Sequence, residues 1–220
     1  MNKLKTFLKI VAFSLVPYLR SYIYFSSNHF CKLSYLKYVF CRLFRIKPYW
    51  PIEKGCVVCN HERIYVGRNS NVGRSGCYIQ GSGGIYIGNY VRVTNNVGII
   101  SQNHDLYDHR IAHKKPIIIH DYCWLGTGSK VMAGVELGPR TIVAANAVVT
   151  KSVPQGNCVL AGVPAKIIKE LEPEKVVHYK EKTEFYGILP PSVFEKTKKH
   201  YLSDCPFFDE NGNLTIKENY

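Results

Sequence analysis

The sequence predicts a mainly β protein built around a parallel β-helix, with a helical segment before it and an extension after it. Three observations carry this prediction. Aliphatic residues recur at every sixth position, small or β-branched residues follow each of them at a fixed distance, and Gly, Asp and Asn gather in between. An α-helix cannot present every sixth residue on one face, whereas short strands joined by tight turns can.

The regular block of this repeat runs from Ile119 to Pro154. Its aliphatic positions are Ile119, Leu125, Val131, Leu137, Val143 and Val149. Four residues after each of these comes a small or β-branched residue, namely Cys123, Ser129, Val135, Thr141, Ala147 or Val153. We expect each unit to form one flat side and three units to close one coil, with the aliphatic side chain on the axis and the small one at the narrower corner.

A weaker block of the same period precedes the regular one. It consists of Val66, Val72, Ile87, Val93 and Ile99, and it slips at the glycine-rich stretch 81–84. An antiparallel sandwich would instead need alternation with a period of two and hairpin turns, and this stretch has neither.

Composition and charge divide the 220 residues into three parts. With 46% apolar and 20% charged residues, the chain is expected to form a globular core rather than a disordered ensemble. The formal charge is +9 over residues 1–54, +7 over 55–169 and −3 over 170–220. Basicity concentrated at one end indicates an anionic surface or a polyanionic partner for the first segment, rather than a nucleic acid bound along the whole chain.

The N-terminal segment carries a short apolar run, Ile10 to Val16, after three lysines. This run ends at Pro17, lacks a cleavage site and is shorter than the roughly 20 residues that span a bilayer. Aromatic residues alternate with Lys and Arg up to Trp50. Two interpretations of residues 1–50 stay open: helices in an anionic membrane interface, or helices packed on the main domain.

The eight cysteines are even in number, but no export signal accompanies them, so reduced thiols in a cytoplasmic protein are expected. Cys56, Cys59 and His61 form a C-x-x-C-x-H motif that suggests zinc. No second ligand pair stands at finger-like spacing, and therefore no metal cofactor is predicted.

Residues 103–116 interrupt the period between the two blocks and are expected to form a loop that carries function. Imidazole can accept a hydroxyl proton near neutral pH, and His104, directly after the first block, is the candidate general base. For His109 and His113 we expect solvated loop roles.

Trp124 follows the inward position of Cys123, so alternation turns its ring outward. There it could stack on a bound ligand or pack in a subunit interface, and these roles are compatible.

Several motifs resemble one known family. They are Ile-Tyr-Ile-Gly-Asn (85–89), Asn-His-Asp (103–105), Cys-Trp-Leu-Gly (123–126), Ala-Asn-Ala-Val-Val-Thr-Lys (145–151) and Ala-Gly-Val-Pro-Ala-Lys-Ile-Ile-Lys (161–169). Over about residues 64–169 the chain is similar to the hexapeptide-repeat acyltransferases, and within them to the sugar and polysaccharide O-acetyltransferases such as galactoside and maltose acetyltransferases.

The resemblance implies a left-handed coil, acetyl-CoA as co-substrate, and an active site between adjacent subunits of a homotrimer. His104 matches the position of the family's catalytic histidine, which deprotonates the acceptor hydroxyl for direct attack on the acetyl group. Other positions match the family's cofactor contacts. Thr127, Ala145 and Thr150 would line the pantetheine slot, and Trp124 would stack on the pantetheine arm or on a sugar face. Lys151, Lys166 and Lys169 would meet the phosphates.

One departure from the family bears on the acceptor. Galactoside and maltose acetyltransferases begin with an acidic helical segment that helps close the sugar site, whereas this chain begins with a basic aromatic one. A surface polysaccharide or its lipid-linked precursor is therefore favoured over a small free sugar. A sugar-nucleotide N-acetyltransferase and a non-catalytic β-helix scaffold remain the alternatives, and no function is predicted for residues 170–220.

Overall fold

A computed structural model of the protein describes residues 18–27 and 33–216, and within them the chain forms three helices longer than one turn and sixteen short strands. The helices are α1 (Leu19–Ser27), α2 (Tyr35–Leu43) and α3 (Pro191–Tyr201). The strands are β1 (Val57–Cys59), β2 (Ile64–Val66), β3 (Tyr78–Gln80), β4 (Ile85–Ile87), β5 (Arg92–Val93), β6 (Gly98–Ile100), β7 (Gln102–His104), β8 (Ala112–Lys114), β9 (Ile117–Ile119), β10 (Trp124–Leu125), β11 (Lys130–Val131), β12 (Glu136–Leu137), β13 (Ile142–Val143), β14 (Val148–Val149), β15 (Cys158–Gly162) and β16 (Ala165–Glu170). Short 3-10 helices lie at His61–Arg63 and Pro173–Lys175.

Fourteen of these strands form the three sides of a coil. Sheet one has the order β1-β3-β6-β11-β14, sheet two the order β16-β15-β13-β10-β5, and sheet three the order β12-β9-β4-β2. Neighbouring strands within each sheet are parallel, except for β16, which pairs antiparallel with β15 at the edge of sheet two. Around the coil, consecutive strands lie in different sheets; the exceptions are the antiparallel pair β15–β16 and the separate pair β7–β8. This is the topology of a parallel β-helix and confirms the predicted fold. The stacking of the coils is consistent with the left-handed β-helix that the resemblance implies.

The axis of the coil is filled by the residues that the sixfold spacing selects. Leu125 pairs with Val143 eighteen positions later, and Val131 pairs with Val149 over the same interval. Three six-residue units therefore close one turn, as predicted. The six aliphatic residues of the regular block are each at most 1% exposed, and Cys123, Ser129, Thr141 and Ala147 at the corners are fully buried. The five aliphatic residues of the weaker block are buried as well.

The corners of the coil use left-handed backbone conformations. Tyr90, Tyr122 and Arg140 occupy successive turns between sheets three and two, with φ values of 58°, 59° and 57°. At the turn between sheets two and one, Gly128 has φ of 75°, and a Cβ there would lie 2.1 Å from the Asn146 side-chain oxygen of the next turn. Glycine suits this position because it adopts the left-handed backbone angle without strain and leaves room for the Asn146 side chain.

Sheet three is covered on its outer side by the C-terminal extension. Tyr65 and Tyr86 stack on that side with ring centroids 5.1 Å apart. Phe208 lies 5.7 Å from the Tyr65 ring, and Phe207 lies 5.8 Å from the Tyr86 ring. The role that the sequence leaves unassigned for residues 170–220 therefore includes closing one side of the β-helix.

The described part of the N-terminal segment also packs on the coil. Tyr49 is fully buried, donates its hydroxyl proton to the Val66 carbonyl at 2.9 Å and accepts the Val66 N–H at 2.6 Å. Tyr38 of α2 is buried in the same hydrophobic cluster. The apolar run at residues 10–16 and the lysines before it lie outside the described residues. Among the described residues, no helix is long and apolar enough to cross a membrane.

Candidate active site

The loop predicted at residues 103–116 leaves the coil as an antiparallel hairpin that spans residues 102–114. Strand β7 pairs with β8, so that Asn103 faces His113 and His104 faces Ala112. The hairpin leaves the coil between β6 of sheet one and β9 of sheet three. Asp105 shapes its tip, because its Oδ1 accepts the N–H groups of Tyr107 at 2.9 Å and Asp108 at 3.1 Å. The sequence reasoning missed this local capping of a turn by an aspartate.

His104 projects from β7 and is exposed. Its Nδ1 lies 2.6 Å from the carbonyl oxygen of His109. A carbonyl only accepts hydrogen bonds, so Nδ1 carries the proton, and in the neutral ring Nε2 keeps the free lone pair. The hairpin therefore holds this imidazole in the tautomer that a general base needs.

A second histidine of the hairpin pairs with a carboxylate. His113 Nε2 lies 2.9 Å from Asp105 Oδ2. This contact, together with the two backbone N–H groups at the tip, lowers the pKa of Asp105 to about 2. The expectation of a solvated role for His113 stays a prediction, and the structure adds a specific partner for the ring.

These side chains border a cavity of about 670 Å³. Its lining residues are Asn103, His104, Leu106, His113 and Lys115. Lys115 had not been predicted, although its position directly after the hairpin could have suggested it. The cavity combines one imidazole with a free lone pair, one amide and one cation, a set suited to holding a polyhydroxylated molecule beside a base.

Trp124 lies on the outer side of sheet two, where 51% of it is exposed, while the next residue, Leu125, is fully buried. This confirms the outward orientation predicted from alternation. Its neighbours across the sheet are Arg92 on β5 and Ile142 on β13. Arg92 was not singled out from the sequence, but it precedes the axial Val93 as Trp124 precedes Leu125, so the period places it beside the indole.

The turn between sheets two and one borders a second cavity of about 510 Å³. Thr127 lines it together with Arg92 and Thr94. The Thr127 hydroxyl donates to that of Thr94 at 3.3 Å, and the Thr94 hydroxyl donates to the Leu125 carbonyl at 2.8 Å. Ala145 occupies the equivalent turn one coil later and is exposed.

A third cavity, of about 270 Å³, lies beside Ile142 and is lined by several cationic side chains. Lys169 lines it with Arg140 and Lys175. The Arg140 guanidinium sits 4.4 Å above the Tyr122 ring, and Lys175 pairs with Glu172 at 2.5 Å. The structure thus places one of the three predicted lysines among cations that the sequence reasoning had not selected.

The predicted site residues fall into two groups on the coil. His104, Thr150 and Lys151 lie at or beside the corner between sheets one and three. The other group lies on sheet two or at its turn toward sheet one, and comprises Trp124, Thr127, Ala145, Lys166 and Lys169. In a three-sided coil, the corner between sheets one and three is opposite sheet two. One chain therefore does not bring His104 and Trp124 into a single site.

Cys123 and Cys56 are poorly suited to nucleophilic chemistry. Burial raises the pKa of Cys123 and of Cys56 to about 12, so both thiols stay protonated near neutral pH. No cluster of three or more His, Cys, Asp or Glu side chains that could hold a metal ion occurs within residues 18–27 and 33–216.

Comparison with known proteins places the repeat in a family. Residues 116–151 match the family model described as bacterial transferase hexapeptide (six repeats). Over these residues the chain is similar to the bacterial transferase hexapeptide family. The matched residues run from just after the hairpin into the last unit of the regular block, and they include Trp124, Thr127 and Lys151.

Individual proteins are also similar to part of this chain. WbbJ of Escherichia coli K12, a candidate lipopolysaccharide biosynthesis O-acetyl transferase, is 33% identical over 103 residues, covering 41% of this chain and 52% of that protein. The 2,3,4,5-tetrahydropyridine-2,6-dicarboxylate N-acetyltransferase of Clostridium perfringens strain SM101 is 45% identical over 76 residues, covering 34% of this chain and 30% of that protein. The chain thus spans about half the length, or less, of these relatives.

A solved structure of galactoside acetyltransferase in complex with coenzyme A also resembles this chain. It has a TM-score of 0.55 and 23% identity, and the match covers 76% of this chain and 86% of that one. At this identity the likeness shows the hexapeptide fold, which extends over more of the chain than the family model does.

Proposed function

We propose that the protein transfers an acetyl group from acetyl-CoA to a sugar hydroxyl of a bacterial surface polysaccharide or its lipid-linked precursor. The observation that carries this proposal is the bond from His104 Nδ1 to the His109 carbonyl, which leaves Nε2 able to accept a proton. The names of the relatives, WbbJ among them, support the reaction class.

In the proposed reaction, His104 Nε2 removes the proton of the acceptor hydroxyl as its oxygen attacks the acetyl carbonyl carbon. The resulting tetrahedral intermediate expels the CoA thiolate when the carbon–sulfur bond breaks. The imidazolium of His104 then returns its proton to the thiolate sulfur. The products are the acetyl ester and CoA, and the base ends in its starting state. The step needs no cysteine nucleophile, which suits the inward, protonated Cys123.

We further propose that the working site lies between subunits of a homotrimer. His104 is at the corner opposite the sheet that carries Trp124, so a neighbouring subunit would supply the indole and the cofactor contacts. The cationic side chains around Lys169 would bind the CoA phosphates. Ile142 lines the same cavity and is the cross-strand neighbour of Trp124, so it connects the cavity with the indole. Lys151 and Thr150, beside the hairpin corner, would then approach the cofactor from the subunit that provides the base.

The experiment is acetyl transfer from acetyl-CoA to a panel of glycans, lipid-linked saccharides and sugar nucleotides, followed by mass spectrometry. We expect a base-labile ester on a glycan and loss of the product in His104→Ala. An amide product on an amino sugar would instead support the alternative, an N-acetyltransferase, which the 45% identity to an N-acetyltransferase favours. No transfer to any acceptor would contradict both.

A further inference from the structure

Helix α2 turns its apolar stripe away from the protein. Leu36 is 80% exposed, Phe40 53%, Leu43 58% and Phe44 64%. Their spacing of four, three and one residues places them on one face, and the rings of Phe40 and Phe44 lie 4.6 Å apart. A surface helix normally directs such a stripe at the core, and an exposed apolar patch of this kind marks an interaction surface.

The opposite face fixes the helix in this orientation. Tyr38 is fully buried, and its hydroxyl accepts a hydrogen bond from Arg42 Nη1 at 3.0 Å. The Arg42 guanidinium also lies 4.7 Å above the ring of Tyr18. Ser34 accepts the Lys37 N–H and so caps the first turn. Because these contacts hold the polar and aromatic face inward, the outward position of the apolar stripe is built into the fold.

The linker after α2 attaches the helix to the side of the coil that carries sheet three. The Arg45 carbonyl lies 3.3 Å from His200 Nε2 of α3, and Tyr49 is anchored on Val66 of β2. Sheet two, with Trp124, is on another side of the coil. The stripe can therefore be covered by a partner without covering the face proposed to meet the neighbouring subunit.

The sequence on both sides of the stripe is basic. Lys37, Arg45 and Lys47 are exposed around it. In the whole sequence, nine Lys and Arg residues and no acidic residue precede Glu53. A second copy of the same surface would bring like charges together, whereas an anionic bilayer offers both an apolar interior and a negative surface.

We propose that the stripe Leu36, Phe40, Leu43 and Phe44 docks on an anionic phospholipid bilayer, with the apolar side chains inserted among the lipids and the surrounding cations at the headgroups. This inference does not depend on the reaction proposed above. If both hold, the enzyme works at the membrane surface, where a lipid-linked glycan would be presented to it.

The test is flotation of the full-length protein with vesicles of phosphatidylcholine containing about 30% phosphatidylglycerol, compared with phosphatidylcholine alone. We expect binding to the anionic vesicles at low salt and its loss near 0.5 M salt, at which screening extends over only about 4 Å. The variant with both Phe40→Ser and Phe44→Ser should bind roughly 10- to 100-fold more weakly. The variant with both Lys37→Gln and Arg45→Gln should lose roughly 10- to 30-fold at low salt.

Val177→Ser is the matched control, since Val177 is 70% exposed outside α2, and its binding should equal that of the original protein. Unchanged binding by the double Phe variant would overturn the proposal. The proposal would also be overturned if the original protein bound no vesicles but self-associated, and if the Phe substitutions abolished this self-association. The partner of the stripe would then be a second copy of the chain. The proposal would also be overturned if the original protein bound no vesicles and the double Phe variant had a lowered Tm. That result would show that the stripe packs against this chain's own residues 1–17.

Discussion

The imidazole of His104 is held by a backbone group of another histidine: its Nδ1 lies 2.6 Å from the carbonyl oxygen of His109. The side chain of His109 has no part in this bond. The two histidines therefore have different roles. The ring of His104 carries the proposed chemistry, and the main chain of His109 orients that ring.

The first prediction follows from this separation. His104→Ala should lower kcat by roughly 10²- to 10⁴-fold, the usual range for a general base, with little change in the affinity for acetyl-CoA. His109→Ala keeps the carbonyl oxygen and should retain nearly the original rate. Steady-state kinetics and calorimetric titration with acetyl-CoA measure the two effects. The opposite pattern, an active His104→Ala and an inactive His109→Ala, would show that the base is misassigned.

The second prediction concerns the site between subunits. His104→Ala and Trp124→Ala should each have low activity alone, because each removes one half of every site. When the two variants are unfolded, mixed in equal amounts and refolded, about one quarter of the sites should combine an intact His104 with an intact Trp124 from a neighbour. Activity should rise toward that fraction of the original. Mixed protein no more active than its components would place both residues in one subunit's site.

The third prediction uses the depressed pKa of Asp105, which is about 2 in the folded protein against roughly 3.9 for a free aspartate. A carboxylate with a lowered folded-state pKa stabilises its surroundings fully above the unfolded value and loses that effect as the pH falls through the folded one. The amide resonances of Tyr107 and Asp108 report the protonation of Asp105 in the folded protein, so they should move with a midpoint near pH 2 rather than near pH 4. In Asp105→Asn this transition should be missing. If the transition persisted in Asp105→Asn, another titratable group would be responsible for it.

The fourth prediction concerns a buried polar ladder at the corner between sheets three and two. Asp121 is 6% exposed, and its carboxylate accepts the Asn89 backbone N–H at 2.7 Å and the Asn89 side-chain amide at 3.1 Å. Asp121→Ala leaves both donors without this acceptor and should cost about 2 to 4 kcal/mol in the free energy of unfolding. Urea denaturation measures it. The exposed Glu174→Ala should stay within about 0.5 kcal/mol of the original, and an equal loss in both variants would contradict a specific role for the ladder.

The sequence alone determined the coil, because its period is a local property. Every sixth residue from Ile119 to Val149 must be aliphatic to fill the axis, and the small residue four positions later must fit the corner. The spacing of these residues therefore predicts the fold without knowledge of distant contacts. The same logic predicted the outward side chain of Trp124. His104 could be chosen because the period breaks beside it.

Only the tertiary structure decided how the hairpin and the extensions are used. Asp105 and His113 are eight positions apart, and their pairing depends on the register of β7 with β8, which the broken period does not encode. The placement of Arg92 beside Trp124 and of Lys175 near Lys169 depends on stacking between coils. The outward face of α2 was undecidable from its own sequence, because an amphipathic pattern states that one face is apolar but not which way it points. That direction was settled by the contacts of Tyr38 and Tyr49 with the rest of the chain.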